Sequence, residues 1–472
     1  MLKEHILSQI CADFEFEPTP GQKNVMEAFA AYLAGSAPED IFVLNGYAGT
    51  GKTTLVAAIV ATLRRLKIKP IVLAPTGRAA KVAGLHARER ALTIHKKIYR
   101  QRSLATLEGE FTLDINRDSD ACFFVDEASM LTNIADTSSP FGSGSLLDDL
   151  VRYVRSGTRC RLVLVGDSAQ LPPVGYQRSP ALDPELMSRY GRVVYASLDD
   201  VVRHGAGSGI LFNATLVRCM IEAGIAQPPL FDMNYPDMQL IEGNGFLEAV
   251  EDCYARYGKD ETIVITRSNK RAGRFNEGIR RHVLFAEEEI ASGDMLMIVK
   301  NNYHYTEREE NCPMDFMANG DIALLQRIRR FEDFYGFRFA QATLRFADYD
   351  DYSIDCRLLL DTLASAAPSL GREDGSRLFF AVAEDYADIR SKAKRYKEVR
   401  ENPYFNAVQV KFAYAVTCHK AQGGQWKAVF IDKMLFGDEE MSIELLRWLY
   451  TALTRATEKV YLVNFDERFM DK

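Results

Sequence analysis

Short apolar runs alternate along the chain with segments of helical periodicity. In the first two hundred residues the runs are Ile41–Leu44, Ile71–Ala74, Cys122–Val125, Arg161–Val165 and Arg192–Tyr195. The segment from Thr53 to Leu66 is apolar at helical spacing and contains neither Gly nor Pro, so it predicts a helix soon after the first run. Strands that alternate with helices in this way predict a parallel sheet covered by helices.

A second set of apolar runs indicates a second α/β domain. Its members are Thr262–Thr266, Val408–Val416, Val429–Ile431 and Val460–Val463. The intervening segment Gly293–Asn406 differs in character, because it carries short β-like runs and then a charged helical stretch near Ala383–Arg400. The β-like runs are Met295–Val299, Ile322–Leu325 and Phe337–Phe346. We predict a small β-barrel inserted in the second domain, and a solvated face for the charged stretch.

Composition changes this picture little. The chain has 472 residues, 47% of them hydrophobic and 26% charged, which suits two to four domains of a soluble globular protein. It shows no apolar signal core and no stretch long enough to span a bilayer, so we expect a cytoplasmic protein. Its eight cysteines form no C-x-x-C pair, which argues against a zinc site and against a disulfide scaffold. A net charge of −7 gives no support to tight nucleic-acid binding, although a motor that releases its track needs only a few backbone contacts.

The stretch Gly46–Thr53, GYAGTGKT, fits the phosphate-binding pattern G-x-x-x-x-G-K-[ST]. In that pattern, backbone N–H groups cradle nucleotide phosphates at the positive end of a helix. Lys52 would reach the β- and γ-phosphates of ATP, and the Thr53 hydroxyl would hold Mg²⁺. The expected nucleotide contacts are Gly46, Ala48, Gly49, Thr50, Gly51, Lys52, Thr53 and Thr54. A plain Gly-rich turn is the alternative, and the strand before the stretch and the helix after it disfavour that reading.

Two further strand ends carry groups suited to ATP hydrolysis. Asp126 and Glu127 follow the run Cys122–Val125. One carboxylate can hold Mg²⁺ through water, and the second can polarise the attacking water. Gln170 follows the run Arg161–Val165, and an amide at the tip of a strand beside the γ-phosphate can report its presence by hydrogen bonding. We therefore assign Asp126 to the metal, Glu127 to the water and Gln170 to the sensor.

Two other positions keep a structural alternative open. Gln22 precedes the phosphate loop and could read an adenine edge, but Thr19-Pro20 also suits a helix start with Thr19 as its cap. Pro75–Lys81 follows the second strand at the carboxyl edge of the sheet, which faces the ligand side of such folds. The alternative for Pro75–Lys81 is an ordinary strand-to-helix turn.

Two motifs of the second domain carry a family resemblance. They are TCHKAQGG, at 417–424, and YTALTRA, at 450–456. With the phosphate loop and Asp126-Glu127, they resemble the motif set of the superfamily 1B DNA helicases of the RecD and Dda type, in order and from Thr19 to Arg455. The resemblance implies an α/β fold with two RecA-like P-loop domains built on parallel sheets. It also implies a small hairpin insertion, which acts as a strand-splitting pin, and an inserted SH3-like β-barrel with a helical addition.

By this resemblance, residues 1–200 form the first RecA-like domain, with the pin at about 96–120. Residues 201–292 and 407–472 form the second, and residues 293–406 form the barrel with its helical addition. ATP would bind between the two domains, with Arg203 and Arg455 against its γ-phosphate and with Gly424 also at the nucleotide. A finger arginine contributes about 10³ to 10⁵ in rate, so hydrolysis is expected to require cleft closure.

The resemblance also implies movement from 5′ to 3′ along single-stranded DNA, driven by Mg-ATP hydrolysis. The implied strand contacts are Pro75, Thr76, Arg78, Thr93, His95, Asn302, Thr417, His419 and Lys420. Hydroxyls, amides and backbone N–H groups that contact phosphates give a sequence-independent grip without a basic surface. Such a grip does not discriminate a 2′-hydroxyl, so RNA stays open as the strand.

Two alternatives to a helicase stay open from the sequence. One is a P-loop ATPase subunit of a repair or recombination complex, which remodels a protein or nucleoprotein without unwinding. The other is a structural module with an inactive nucleotide site, which the presence of every catalytic residue disfavours. Repair or replication proteins are the expected protein partners, no membrane is expected, and a monomer is the expected state.

Overall fold

The computed structural model describes residues 2–35, 37–103, 110–134, 141–200, 207–309, 312–314, 316–434 and 439–470. The chain divides into two compact units. Unit 1 comprises Met1–Asp237, Asp438–Thr454 and Glu467–Lys472, and unit 2 comprises Met238–Gly437 and Arg455–Asp466. Residues 207–237 and 439–454, which the resemblance assigns to the second domain, therefore pack with unit 1. The domain bounds implied by the resemblance stay a prediction.

Unit 1 is built on a parallel sheet. Its described strands are β1 Ile41–Gly46, β2 Lys69–Ala74, β3 Ala91–Thr93, β6 Ala121–Val125, β7 Arg161–Gly166 and β8 Val193–Leu198. They lie in the order β3-β2-β6-β7-β1-β8. A separate antiparallel pair, β4 Tyr99–Ser103 and β5 Glu110–Leu113, lies within the predicted pin. The five apolar runs predicted for the first domain all form strands of the parallel sheet.

Unit 1 also contains helices, several of which pack on its sheet and bury the apolar faces. They are α1 Leu2–Asp13, α2 Pro20–Ala34, α3 Lys52–Arg65, α4 Gly77–Ala87, α5 Ile94–Ile98, α6 Leu146–Ser156, α7 Pro184–Met187, α8 Gly209–Ala223 and α15 Ile443–Leu453. One core cluster joins Ile10, Phe29 and Leu55 from three helices to Phe42 and Phe124 from two strands. Burying a side chain of this size contributes about 1.5–3 kcal/mol, so this core fixes the strand ends that carry the site.

Unit 2 combines a second parallel sheet with a closed barrel. The sheet strands are β9 Met238–Ile241, β10 Thr262–Thr266, β16 Ala415–Thr417, β17 Trp426–Asp432 and β18 Ala456–Val463, in the order β16-β10-β17-β18-β9. The barrel strands are β11 Met295–Ile298, β12 Ile322–Phe334, β13 Phe337–Phe346, β14 Tyr352–Leu359 and β15 Val408–Phe412. Two parallel α/β sheets, a hairpin and an inserted barrel confirm the predicted fold class.

The helices of unit 2 pack beside its sheet and on the outside of the barrel. They are α9 Phe246–Tyr257, α10 Asn269–His282, α11 Asp361–Ala364, α12 Arg372–Glu384, α13 Lys392–Glu401 and α14 Cys418–Ala421. The charged stretch predicted as one helix is thus divided between α12 and α13. Across the described ranges, every helix falls short of the length and apolarity that a membrane crossing requires.

Candidate nucleotide and nucleic-acid sites

The loop between β1 and α3 has a backbone that small residues permit. Gly49 and Gly51 both have a φ of 78°, in the left-handed region that favours glycine. A Cβ on Gly46 would lie 2.5 Å from Cγ of Lys52, so a larger residue there would displace that side chain. Thr50 is fully buried, and its hydroxyl donates to the carbonyl of Tyr47 at 2.8 Å. The predicted phosphate loop is therefore tight and internally bonded.

Lys52 begins α3, and the loop itself holds its ammonium. The Nζ donates to the carbonyl oxygens of Gly46 and Tyr47, the latter at 3.3 Å, and lies 3.9 Å from Oδ2 of Asp167. Phosphate oxygens form stronger, charge-assisted hydrogen bonds with an ammonium than peptide carbonyls do. Lys52 can therefore exchange its carbonyl partners for a nucleotide phosphate without a change in the backbone.

Asp126 and Glu127 follow β6, which lies two strands from β1 in the sheet. Asp126 lines one small cleft together with Lys52 and Thr53, so the structure brings together the two residues predicted to hold Mg²⁺. Glu127 has a φ of 52°, and its N–H donates to Oδ1 of Asp126 at 2.9 Å. A left-handed conformation in a residue with a side chain costs about 1–3 kcal/mol and is concentrated at functional sites.

Gln170 is buried beyond the end of β7, where its N–H donates to the carbonyl of Asp167 at 3.3 Å and fixes the turn that follows the strand. Its side-chain Oε1 is also buried and accepts no hydrogen bond from any described residue. A buried acceptor without a donor costs about 1–3 kcal/mol, so Gln170 suits a partner that arrives with the nucleotide. The glycine cradle, Lys52 and this acceptor together fit a magnesium nucleotide.

Asp167 and Tyr450 are site residues to which sequence reasoning assigned no role. The Tyr450 hydroxyl donates to Oδ2 of Asp167 at 2.7 Å and accepts from the N–H of Ala48 at 2.9 Å. Burial raises the pKa of Tyr450 well above its usual value, so the phenol stays protonated and can donate. A tyrosine of α15 thereby holds both the phosphate loop and the carboxylate beside Lys52. The motif YTALTRA, which contains Tyr450, was the signal in the sequence that could have found this residue.

The Gln22 side chain is committed to local contacts. Its Oε1 accepts from the N–H of Thr19 at 3.0 Å, while the Thr19 hydroxyl accepts from the N–H of Gln22, and the two form a capping box at the start of α2. Its Nε2 donates to the carbonyl of Thr50 at 3.1 Å. The structural alternative is therefore realised, and Gln22 joins α2 to the phosphate loop. Contact between Gln22 and adenine stays a prediction.

Two residues of unit 1 that are predicted to contact the nucleic-acid strand also cap helices. The hydroxyls of Thr76 and Thr93 each accept a backbone N–H at 3.2 Å, at the starts of α4 and α5. Pro75 directly precedes Thr76, and Arg78 lies in the first turn of α4. His95 packs edge-on against Phe141, with ring centroids 4.7 Å apart, and burial lowers its pKa to about 4. These residues share the carboxyl edge of β2 and β3.

The remaining residues that are predicted to contact the nucleic-acid strand lie in unit 2. Asn302 is buried, and its Nδ2 donates to the carbonyl of Asn406 at 2.8 Å, which indicates a positioning role. Thr417 ends β16, and His419 lies in the short helix α14. Lys420, also in α14, donates to Oδ1 of Asn319 at 3.3 Å.

Of the two predicted arginine fingers, the structure describes Arg455 and not Arg203. Arg455 is buried in unit 2, and its Nη1 donates to the carbonyl of Gly424 at 3.2 Å. Arg203 lies outside the described residues. Of the other predicted nucleotide contacts, Thr54 lies in the first turn of α3.

Family comparisons agree with the motifs at both ends of the chain. Residues 17–211 match the AAA domain family, and residues 412–463 match the UvrD-like helicase C-terminal domain family. The first range contains the phosphate loop, Asp126-Glu127 and Gln170, and the second contains TCHKAQGG and YTALTRA. Both matches agree with the resemblance to the superfamily 1B helicases that the motifs carry.

Proteins similar to this chain include viral and bacterial ones. An uncharacterised protein, R530, of Acanthamoeba polyphaga mimivirus is 21% identical over 489 residues, which cover 89% of this chain and 94% of that protein. The ATP-dependent RecD2 DNA helicase of Deinococcus radiodurans is 29% identical over 163 residues, which cover 33% of this chain and 19% of that protein. A crystal structure of a Pif1 helicase from Bacteroides in complex with ADP-AlF3 and ssDNA aligns over 97% of this chain and 95% of that one, at 13% identity and a TM-score of 0.47.

Proposed function

We propose that this chain is an ATP-dependent DNA helicase or translocase of superfamily 1B that moves from 5′ to 3′ on single-stranded DNA. The observation that carries the proposal is the gathering of Lys52, Thr53 and Asp126 in one cleft, beside a phosphate loop of the required geometry. The motif set and the RecD2 relative favour DNA as the track.

Each side chain of the site has a separate proposed role. Lys52 binds the β- and γ-phosphates of ATP, and Thr53 and Asp126 hold Mg²⁺. Mg²⁺ held by these residues would neutralise charge on the phosphates. Glu127 orients the attacking water and accepts its proton, while Gln170 senses the γ-phosphate. Asp167 lies 3.9 Å from the Lys52 ammonium and keeps it close to the loop.

Two further arginines complete the proposed chemistry. Arg203 and Arg455 stabilise the charge that develops on the γ-phosphate, a contribution of about 10³ to 10⁵ in rate for such a finger. Gly424, whose carbonyl accepts from Arg455, is a proposed nucleotide contact through its backbone. Because both arginines act on charge that develops in the transition state, we expect their loss to lower kcat more than nucleotide affinity.

The proposed grip on the strand uses few charges. Its members are Pro75, Thr76, Arg78, Thr93, His95, Asn302, Thr417, His419 and Lys420. The neutral state of His95 fits a hydrogen-bonding or stacking contact with the strand, because its lowered pKa excludes a lasting positive charge at neutral pH. A grip of this kind reads the backbone and carries no sequence preference.

Tailed duplexes test the direction of movement. A DNA duplex with a 5′ single-stranded tail and one with a 3′ tail are each incubated with the protein, ATP and Mg²⁺. We expect release of the strand from the 5′-tailed duplex alone, and no release by Lys52→Ala. Release from the 3′-tailed duplex alone would overturn the polarity.

A second function remains as the alternative, an ATPase subunit that remodels a protein or nucleoprotein without unwinding. Under that alternative, neither duplex is unwound and hydrolysis responds to a protein partner in place of DNA. The two functions are therefore separated by whether single-stranded DNA alone stimulates hydrolysis.

A further inference from the structure

Unit 2 contains a cavity of about 870 Å³, and no residue of the phosphate loop lines it. One wall is α10, including Lys270 and Arg274, and the lining also includes Lys411, Thr417 and Lys420. Its volume is at the upper end of the range for ordinary ligand pockets. The cavity is therefore large enough to admit a segment of a polymer, and its charges indicate which kind.

Charge is distributed unevenly along this cavity. Lys270 lies at the start of α10, whereas Glu287, Glu288 and Glu289 line the cavity after the helix has ended. A helix of 14 residues is about 21 Å long, and Arg280 near its end donates to the carbonyl of Glu288. The acidic residues therefore lie near the end of α10 opposite Lys270. Because β10 and β16 are parallel and pair Thr266 with Thr417, the start of α10 is close to Thr417. The cavity therefore has a cationic end beside Thr417 and a mixed end, where Arg280 and Arg281 line it together with the three glutamates. Glu277 lines it between the two ends.

Two lysines of the cavity, Lys411 and Lys420, form hydrogen bonds with neutral groups and not with carboxylates. Lys411 donates to the carbonyl of Ser365, and Lys420 donates to Oδ1 of Asn319, so both have neutral acceptors. Burial lowers the pKa of both lysines, and the charge of Lys411 contributes to the shift of Lys420 to about 8. No carboxylate among the described residues contributes to either shift.

A lysine pair with neutral acceptors is costly in the free protein. Partial burial removes hydration from each ammonium, and their mutual repulsion adds to the cost. An anion placed between them would relieve both effects, because it supplies opposite charge and hydrogen-bond acceptors together. Thr417 lines the same cavity, and its hydroxyl makes no capping hydrogen bond to α14, so it can donate to the same anion.

We propose that the cationic end of this cavity binds phosphate groups of the single strand, with Lys411 as a phosphate contact beside Lys420 and Thr417. Lys270 and Arg274 extend the same site along α10. The inference rests on the proposed function, since it places the strand in unit 2, and it adds three basic residues that the motifs do not include.

Salt dependence of strand binding tests the inference directly. The affinity of a fluorescent oligodeoxythymidylate is measured by anisotropy at several salt concentrations, for the unsubstituted protein, Lys411→Gln, Lys411→Arg and Lys397→Gln. Glutamine keeps a hydrogen-bond donor without the charge. Lys397 is the matched control, because it is exposed and pairs with Glu401 on α13, outside the cavity.

Loss of one phosphate contact lowers the slope of log affinity against log salt by about 0.7 for a single strand. We expect that loss, with weaker binding, in Lys411→Gln alone, and a normal slope in Lys411→Arg and Lys397→Gln. An unchanged slope and affinity in Lys411→Gln would overturn the inference while leaving the proposed function intact. Failure of the unsubstituted protein to bind the oligonucleotide would instead overturn the proposed function.

A second measurement distinguishes a cavity that binds a free anion from one that binds the nucleic-acid strand. The thermal midpoint of each protein is recorded with and without inorganic phosphate. If phosphate stabilises the unsubstituted protein but not Lys411→Gln, while the slope for DNA is the same in both, the cavity binds a free anion and the assignment to the strand is wrong. Equal responses to phosphate, together with a reduced slope, support the strand.

Discussion

Gly46 shows how closely the phosphate loop packs around its lysine. Any Cβ at this position would come within 2.5 Å of the Lys52 side chain. Gly46→Ala should therefore move the ammonium, and a misplacement of about 1 Å can cost about 10²-fold in rate. We expect kcat/KM for ATP to fall by that order, measured by steady-state hydrolysis.

A matched glycine provides the control for this substitution. An added Cβ at Gly278, within α10, meets no atom within 4 Å. Gly278→Ala should leave hydrolysis unchanged and raise the free energy of unfolding by up to about 1 kcal/mol, because alanine favours the helix. Equal losses of activity in both variants would contradict the role assigned to Gly46.

His95 gives the molecule a pH-dependent contribution to stability. Its pKa is lowered by burial to about 4 in the folded chain, against about 6.5 in the unfolded chain. Between these values the unfolded chain binds more protons, so the free energy of unfolding falls as the pH falls below 6.5. The drop in thermal midpoint from neutral to mildly acidic pH should therefore be smaller in His95→Phe than in the unsubstituted protein. An identical drop in both would show that His95 is not the source.

At the scale of the element, helix α15 joins the nucleotide site from far along the chain. Its Tyr450 hydroxyl bonds both Ala48 and Asp167, and its Thr451 hydroxyl accepts from the N–H of Leu171 at 2.8 Å. Tyr450→Phe removes the hydrogen bonds to both of its partners, at about 1–3 kcal/mol for each group left unsatisfied. We expect a lower thermal midpoint and slower hydrolysis.

The comparison for this variant is Tyr461→Phe, in β18 of unit 2. The Tyr461 hydroxyl contacts Cys253 of unit 2 at 3.6 Å and no residue of the phosphate loop, so its loss should leave hydrolysis unchanged. Equal hydrolysis by Tyr450→Phe and Tyr461→Phe would contradict a role for α15 in the nucleotide site.

Apolar periodicity predicted strands that are buried throughout, such as β6 and β10, and also β8, whose residues are mostly half-buried or exposed. It did not predict β9, whose Gln239 and Leu240 are exposed, or β14, whose first half alternates between exposed and buried residues. It also merged Val408–Val416 into one strand, because the run stays apolar where the chain passes from the barrel strand β15 to the sheet strand β16. Strand identity there depends on long-range pairing, which sequence pattern does not encode.

The candidate site could be predicted where a motif fixes backbone geometry, as at Gly46–Thr53 and Asp126-Glu127. The residues that bond to those motifs could not be predicted, because they are distant from the motifs in the sequence. Tyr450 is 402 residues from Ala48, and the packing of α15 within unit 1 decides the contact. The sequence could not decide whether Thr76 and Thr93 cap helices, since a hydroxyl at a helix start can bond either to the helix backbone or to a ligand.

At the scale of the whole molecule, two units built on parallel sheets divide the proposed chemistry between them. Unit 1 carries the phosphate loop, Asp126, Glu127 and Gln170, whereas unit 2 carries Arg455 and the lysine-lined cavity. A motor of this design needs both sets, because hydrolysis and strand binding use different side chains. The central claim is that the two activities are coupled.

Steady-state ATP hydrolysis with and without single-stranded DNA tests that coupling most directly. It is measured for the unsubstituted protein, Glu127→Gln and Arg455→Ala. The account predicts strong stimulation by DNA in the unsubstituted protein and its loss in both variants, with the Arg455→Ala rate reduced by about 10³-fold or more. Hydrolysis that is indifferent to DNA in the unsubstituted protein, or stimulated normally in both variants, would contradict the account.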